Sequence, residues 1–247
     1  MSAFAAVHKT ASAYEWRVVG YTCHDIDTSF LMELSEFRGR ILYADGRRPW
    51  FLQSDGRYAD DDALDSQSFH ITVRKGGDLV GYIRIRLLPE RSQSSLGRVV
   101  TERQFEAILT EMRVARSDCL EVSRWIVAPS ERGTLVAPTL VVSAWAVGRW
   151  LGKRCLLAAV GKRGGQVTML ARFGGQIPGG VDANFIAEYD DELVMMHFDL
   201  PCPPARVVAK LSAVQRLLRL ADRPGEQSEL DRSCYGRGRP SPALSGL

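Results

Sequence analysis

Two neighbouring segments of the chain alternate hydrophobic and polar residues with a period of two, which is typical of strands. The segments are 68–75 and 79–88, and the Gly-Gly-Asp sequence between them predicts a β-hairpin. Before the hairpin, apolar residues at helical spacing predict a helix over 28–37 that leads into Arg38-Gly39-Arg40. The polar, turn-rich stretch at 44–64 predicts a long loop.

After residue 100, helical and strand patterns alternate along the chain. Thr101 is a candidate N-cap for the first of the helices. The predicted elements are a helix over 102–113, a strand over 120–128, a helix over 136–152, a strand over 155–160, a short helix over 166–173 and a strand over 192–200. Strands followed by a β-α-β-α-β order predict an α/β (α+β) fold, with a mixed sheet, a parallel portion at its centre and helices on its faces.

The length of 247 residues favours one large domain. We expect this domain to span 1–220 and to end with a basic amphipathic helix over 205–220. The remainder, 221–247, is rich in Gly, Pro and Ser and has few large apolar residues, which predicts a disordered tail.

Composition excludes several classes of protein. The longest apolar stretch, 135–147, is shorter than the ~20 residues of a spanning helix, and no export-signal pattern is found at the start, so the expected location is cytoplasmic. The five cysteines and four histidines are scattered, and no metal site is predicted. A net charge of +3 is too small to indicate a nucleic-acid partner.

The distribution of charge is more informative than its sum. The segment 132–181 has seven basic residues and no acidic one, which favours an anionic partner. At the start of this segment, the turn 129–133 leads from a strand into a helix. A helix N-terminus offers unpaired N–H groups and a positive dipole end to a pyrophosphate or phosphopantetheine, so Arg132 and Gly133 are candidate donor-binding residues.

The pattern Val-x-Pro-x-x-Arg-Gly at 127–133, followed by an apolar helix, a buried strand and a short helix, resembles the GNAT acyltransferase fold over about 50 residues. This resemblance implies a mostly antiparallel sheet whose parallel centre is splayed, and an acyl thioester as donor. Leu135 stands where the family has a glycine that lets the backbone approach a pyrophosphate. An ordinary small-acyl acetyltransferase is therefore a weaker alternative.

Four short motifs in the order of the chain resemble the acyl-homoserine-lactone (autoinducer) synthases and the long-chain N-acyl amino acid synthases, over roughly 30–180. They are Phe37-Arg38-Gly39-Arg40 with Tyr43 and Trp50, Asp62-x-x-Asp65 with Phe69-His70, Gly81-Tyr82-Ile83-Arg84, and Glu121-Val122-Ser123-Arg124. The resemblance implies that a long fatty acyl group is transferred to an amine.

The catalytic roles follow from this resemblance. It implies that Glu121 is the general base, directly or through water, and that Ser123 positions the amine or the leaving thiol. Backbone N–H groups near Trp125 and Val127 would polarise the thioester carbonyl. The alternative is that Glu121 only pairs with an arginine. Strand alternation puts Arg124 on the opposite face unless a bulge intervenes, and the family has one nearby.

Five charged residues are candidates for substrate binding, and their alternative role is structural. They are Arg38, Asp62, Asp65, Arg84 and Arg124. Arg84 or Arg124 suits an amino acid carboxylate, because a guanidinium binds a carboxylate bidentately. The same aspartates and arginines would equally form a charge network that supports the fold.

The expected donor is acyl-phosphopantetheine on acyl carrier protein, or acyl-CoA, with no tightly bound cofactor. Arg149, Lys153 and Arg154 are the candidate docking residues for the acidic carrier protein. The expected acceptor is the amine of an amino acid. Two alternatives remain, an acyl-homoserine-lactone synthase that uses S-adenosylmethionine and a non-catalytic module that binds acyl carrier protein.

Overall fold

A computed structural model describes residues 5–9, 14–20, 26–46, 48–88 and 94–218. The tail predicted at 221–247 lies outside these residues, so that part of the domain prediction stays a prediction. Among the described helices, none combines the length and the apolar character needed to cross a membrane.

Eight strands form one mixed sheet in the order β1-β2-β3-β4-β5-β6-β8-β7. The strands are β1 (Ala5–Lys9), β2 (Tyr14–Val19), β3 (Phe69–Lys75), β4 (Asp78–Leu87), β5 (Cys119–Val127), β6 (Cys155–Gly161), β7 (Asn184–Ile186) and β8 (Asp191–Asp199). All neighbours are antiparallel except β5 and β6, which are parallel. The predicted fold class, a mostly antiparallel mixed sheet with a parallel centre, is confirmed.

The parallel pair at the centre of the sheet is short. Pairing covers only Cys119–Glu121 of β5 and Cys155–Leu157 of β6, although both strands continue. The strands therefore separate towards their carboxyl ends, and the gap between them must be filled by side chains or by a ligand.

Helices cover both faces of the sheet. They are α1 (Thr28–Ala44), α2 (Glu102–Met112), α3 (Val136–Trp150), α4 (Gln166–Ala171) and α5 (Ala205–Leu217). The largest apolar cluster packs α3 and α5 on one face, and two smaller clusters pack α1 and α2 on the other. Thr101 caps α2 through a reciprocal capping box with Gln104, as its position predicts.

The first helix is longer than the sequence pattern predicts. Gly39, which as a glycine indicates a helix end, lies inside α1. A Cβ at this position would come within 2.8 Å of the backbone nitrogen of Ala59, so the glycine allows the following loop to pass close to the helix. The position of this loop matters because it carries the aspartates described next.

Candidate active site

A charge network lies between α1, the loop at 60–65 and the sheet. Arg38 is fully buried, and its Nε and Nη2 donate to Asp60 Oδ2 at 3.0 Å and to Asp65 Oδ2 at 2.6 Å. Nη2 also donates to the Asp60 carbonyl at 2.6 Å. Burial alone would lower the pKa of Arg38, but Tyr82 and the two carboxylates outweigh burial and raise it. Arg38 is therefore a permanently charged structural centre.

The same network continues across β4 and β5. Arg84 Nη1 donates to Asp62 Oδ2 at 2.8 Å and to Asp65 Oδ1 at 2.7 Å. Arg124 Nη2 donates to Asp62 Oδ2 at 2.9 Å, and its Nη1 lies 3.2 Å from Asp60 Oδ2. Burial would raise the pKa of Asp62, but the charge of Arg84 and the hydrogen bonds hold it well below its usual range.

A β-bulge brings Arg124 into this network. Between Tyr82 and Arg84, β4 advances by two residues while β5 advances by three, from Ile126 to Ser123. Arg124 has φ of +55°, a left-handed conformation that costs energy for a residue with a side chain. Consecutive side chains of a regular strand point to opposite faces, and the bulge instead lets Ser123 and Arg124 both face the aspartates.

A neutral histidine completes this region. His70 Nε2 lies 2.9 Å from the Asp65 carbonyl, which accepts only, so this nitrogen carries the hydrogen. Nδ1 then accepts from the Tyr82 hydroxyl at 2.9 Å. Burial lowers the pKa of His70 to about 4 and raises that of Tyr82, so both groups are uncharged at neutral pH.

Glu121 lies on the same face of the sheet as Ser123 but has different partners. Its Oε2 accepts from Arg86 Nη2 at 3.0 Å, and its Oε1 accepts from the backbone N–H of Ser95 at 3.0 Å and from the Ser95 hydroxyl. Both Glu121 and Arg86 are buried. The ion pair weighed as the alternative for Glu121 is therefore present.

A cavity of about 500 Å³ occupies the gap between β5 and β6, a volume within the usual range for small-molecule sites. Its apolar lining belongs to the cluster under α3 and includes Val141, Ala144, Trp145, Leu156, Ala158 and Phe198. Its polar lining comes from loops on the other face and from the bulge, and includes Arg48, Asp62, Arg84, Ser95, Arg98 and Tyr189. Because the lining comes from both faces, the cavity extends through the sheet, with an apolar half and a polar half.

The predicted site residues divide between the cavity and its surroundings. The cavity is lined by Ser123, Asp62, Arg84, Arg124 and Trp125, whereas Glu121, Arg38, Asp65 and Val127 do not line it. Arg38 and Asp65 instead hold the network together.

The donor-binding residues predicted at the start of α3 also lie outside the cavity lining. Arg132 pairs with Asp45 at 2.8 Å, and Gly133 has φ of +85° in the turn before the helix. Leu135, the residue that stands in place of the glycine, is 71% exposed. Nearby, Glu131 is buried and accepts from Lys75 Nζ at 2.7 Å, so this helix start has a negative charge beside it.

The predicted docking residues lie at the other end of α3. Arg149 and Arg154 are exposed, and Lys153 Nζ donates to the Ser117 carbonyl at 3.2 Å. This end adjoins Cys155, where β5 and β6 are still paired, and none of the three residues lines the cavity.

Several residues of the polar half were missed by sequence reasoning, among them Arg48, Ser95, Arg98 and Tyr189. The Arg48 guanidinium lies 4.1 Å from the centre of the Tyr189 ring, and that of Arg98 lies 5.4 Å from it. The three side chains come from separate loops and form no motif, so only the tertiary structure brings them together. Over the described ranges, no group of three or more His, Cys, Asp or Glu residues is arranged to hold a metal ion.

The splayed parallel centre, the bulge on β5 and the cavity between β5 and β6 define a GNAT-type acyltransferase fold. Residues 49–142 match the family model described as "Acetyltransferase (GNAT) domain", in agreement with the resemblance found in the sequence. A comparison with curated protein sequences finds no match.

Solved structures of two kinds of synthase share the fold at low identity. BjaI, a CoA-dependent acyl-homoserine lactone synthase solved with SAM and isopentyl-CoA, is 15% identical with a TM-score of 0.57, covering 87% of this chain and 90% of that chain. The AHL synthase LasI is 17% identical with a TM-score of 0.53, covering 77% and 91%. FeeM, an N-acyl amino acid synthase from uncultured soil microbes, is 12% identical with a TM-score of 0.54, covering 76% and 90%. These likenesses concern the fold.

Proposed function

We propose that this chain is an N-acyltransferase that moves a long-chain fatty acyl group from a carrier-protein thioester to the amine of an amino acid. The observation that carries the proposal is the cavity through the sheet, with its apolar half under α3 and its polar half at the bulge. An acyl thioester has the same division, because a hydrocarbon chain is joined to a polar carbonyl and sulfur. We place the alkyl chain in the apolar half and the reacting carbonyl beside Ser123 and Trp125.

The size and lining of the apolar half support a long acyl group over an acetyl group. Burying each methylene of an alkyl chain contributes about 0.8 kcal/mol, and the six apolar side chains named above offer that burial. An acetyl group has a single methyl and would leave most of this volume without contacts. The absence of the family's glycine at Leu135 agrees with a donor that is held mainly through its acyl chain.

The acceptor carboxylate requires a cation in the polar half. Arg84 and Arg124, the residues favoured by the sequence, share three aspartates with Arg38, so three positive charges face three negative ones. A carboxylate would have to compete with these buried partners. Arg98 lines the polar half and pairs with the exposed Glu188, a partner that solvent and a substrate replace more easily. We therefore place the carboxylate at Arg98, beside Tyr189.

The choice between carrier protein and CoA as donor is tested by reversing basic residues at either end of the β5–β6 strand pair. Reversing Arg149, Lys153 and Arg154 to Glu tests the docking residues favoured by the sequence. The matched variant reverses Lys162, Arg163 and Arg172, which are exposed beside the carboxyl end of β6. If carrier protein is the donor, one triple variant raises the KM for acyl carrier protein at least tenfold and leaves that for acyl-CoA unchanged. Equal effects on both donors contradict a carrier protein.

The experiment for the function itself is mass spectrometry of organic extracts from a bacterial host that expresses the protein. The controls are a host with an empty vector and a host with Ala144→Phe, which fills the apolar half of the cavity. N-acyl amino acids found only with the wild type are expected, and they name the acceptor and the chain length. Acyl lactones would replace the proposal with a homoserine-lactone synthase. An unchanged lipid profile, repeated with purified protein and both donors, would contradict acyl transfer and favour a non-catalytic module.

A further inference from the structure

Glu121 is separated from the cavity by one residue, Ser95. Ser95 lines the cavity, and both its backbone N–H and its hydroxyl donate to Glu121 Oε1. Glu121 is buried and is not part of the lining. We propose that Ser95 is the proton relay that connects an amine in the cavity to Glu121. This inference rests on the proposed function and adds to it the group that the acceptor amine contacts.

The geometry gives the relay a direction. A serine hydroxyl has one proton to donate and two lone pairs that accept. The proton of Ser95 points at Glu121 Oε1, so its lone pairs remain for a donor in the cavity. An ammonium or amine N–H is such a donor.

Both ends of the relay are held in place. Arg86 binds Glu121 Oε2, which leaves Oε1 for Ser95. Ser95 is the first residue of a 3-10 turn, Ser95–Arg98, and the Ser94 hydroxyl caps this turn by accepting from Leu96 N–H at 3.0 Å. The Ser95 backbone also donates to Glu121, so the main chain at Ser95 is held beside the carboxylate.

The other acidic groups of the cavity have partners of their own. Asp62 lies between Arg84 and Arg124, which stabilise its charged form. Asp61 accepts from the Ser35 hydroxyl at 2.7 Å, and Asp191 accepts from the Arg163 backbone N–H at 3.0 Å. Facing Glu121 itself, Arg86 is the charged partner from β4, while its register neighbour on β6 is the apolar Leu157. The Ser95–Glu121 pair differs from these groups, because a hydroxyl that lines the cavity is hydrogen-bonded to a buried carboxylate behind it.

The chemical step balances as follows. The acceptor ammonium gives one proton to Ser95 Oγ while Ser95 gives its own proton to Glu121 Oε1, which leaves a neutral amine. The amine nitrogen attacks the thioester carbon, so the C–N bond forms and the C–S bond breaks. The nitrogen passes its surplus proton to the leaving thiolate, which gives an amide and a thiol. Glu121 later returns its proton to solvent through Ser95.

The test compares Ser95→Ala with Ser95→Thr, which restores the hydroxyl. Ser95→Ala keeps the Glu121–Arg86 ion pair, and it is therefore a cleaner variant than Glu121→Gln, which would leave Arg86 buried without a counter-charge. General acid–base groups contribute about 10²–10⁴-fold, so we expect kcat/KM for the amino acid at pH 7 to fall about 10²-fold in Ser95→Ala. Ser95→Thr is expected to recover most of this loss.

The pH profile separates a relay from a structural role. Without the relay, only amine that is already neutral in solution reacts, so kcat/KM of Ser95→Ala is expected to rise about tenfold per pH unit between pH 7 and 9 and to approach the wild type. The wild type is expected to be nearly flat over that range. Ser94→Ala is the matched control, because it removes the cap of the same turn and leaves the Ser95 hydroxyl in place, and it is expected to keep the flat profile.

Failure of the relay and failure of the function give different results. A wild type that acylates no amine overturns the proposed function. A wild type that acylates amino acids, with a Ser95→Ala variant that is equally active or reduced by the same factor at every pH, overturns the relay alone. Thermal unfolding of each variant shows whether a uniform loss reflects a damaged fold.

Discussion

The charge network and the cavity meet at the bulge of β5, and they differ in how completely their side chains are paired. In the charge network, three arginines face three aspartates, and every one of these six side chains has an ionic partner. In the cavity, the half under α3 is lined by apolar side chains and opens into the polar half. We therefore expect the charge network to support the fold and the cavity to bind the ligand.

This difference separates the motif residues by their expected roles. Arg38, Asp65 and Arg84 serve chiefly to hold the loop at 60–65 against the sheet. That loop then forms one wall of the polar half. We therefore expect the motifs that resemble acyl synthases to include supports of the site, such as Arg38 and Asp65, as well as residues that line it, such as Arg124.

Removing Arg38 is expected to have the largest effect. Arg38→Met leaves Asp60 and Asp65 buried with one fewer positive partner, and breaking a buried ion pair in this way costs about 3–5 kcal/mol. The measurement is the free energy of unfolding in urea. The control is Arg57→Met, which removes an exposed pair with Asp55 and is expected to cost less than about 1 kcal/mol. Equal losses would show that the network is not a structural centre.

Stability is expected to fall in mild acid because of His70. The unfolded chain binds a proton at this imidazole below its ordinary pKa of 6.5, but the folded protein keeps it neutral down to about 4. The unfolded state therefore takes up more protons in this window, and the free energy of unfolding should fall by about 3 kcal/mol from pH 6.5 to 4. Asp62 adds a loss in the same direction, but below its ordinary pKa of 3.8.

The variant His70→Gln isolates this contribution. Its free energy of unfolding, measured by urea titration at half-unit steps of pH, is expected to change much less between pH 6.5 and 4 than that of the wild type. A variant with an unchanged slope would mean that His70 is protonated in the folded protein and that other groups cause the loss.

Periodicity predicted the fold well because it is a local property. The hairpin β3–β4 and the apolar helix α3 are each encoded within their own segments. Gly39 misled the prediction of α1, because the reason for the glycine is Ala59, a residue twenty positions away. The left-handed conformation of Arg124 was not readable from the strand itself, since nothing in an arginine indicates φ above zero. The family resemblance implied only that a bulge lies near this position.

The site was less predictable than the fold. Asp62, Arg84, Ser123 and Arg124 belong to motifs and do meet at the cavity. Ser95 and Tyr189 were missed because a loop residue becomes a site residue only through its neighbours in space. Small residues such as Ala144 give no chemical signal at all, although they determine the volume of the cavity.

Filling the apolar half is expected to change the length of the acyl chain that the protein accepts. Ala144→Leu places three more carbons in the cavity, so activity with long acyl donors should fall about 10–100-fold while activity with short donors is kept. Ala146→Leu is the matched control, because Ala146 is buried on the same helix but does not line the cavity. Both variants are expected to lose about 1–3 kcal/mol of stability from overpacking. A shift in preferred chain length for both, or for neither, would contradict the placement of the alkyl chain.

The smallest expected effect tests the polar half at Arg98. Two arginines of the chain are nearly equal in exposure and pairing: Arg98 is 46% exposed and paired with Glu188, and Arg132 is 49% exposed and paired with Asp45. Only Arg98 lines the cavity. If it binds the acceptor carboxylate, Arg98→Met should raise the KM for the amino acid about tenfold, the loss of one charge-assisted hydrogen bond at a partly exposed site. The KM of Arg98→Met for the corresponding amine without a carboxylate should not change.

Arg132→Met should leave both KM values unchanged, because the substrate does not reach it. An equal rise for the amino acid and the amine in Arg98→Met would mean that Arg98 shapes the loop rather than binding the carboxylate, and the acceptor would then have to displace an aspartate from Arg84 or Arg124.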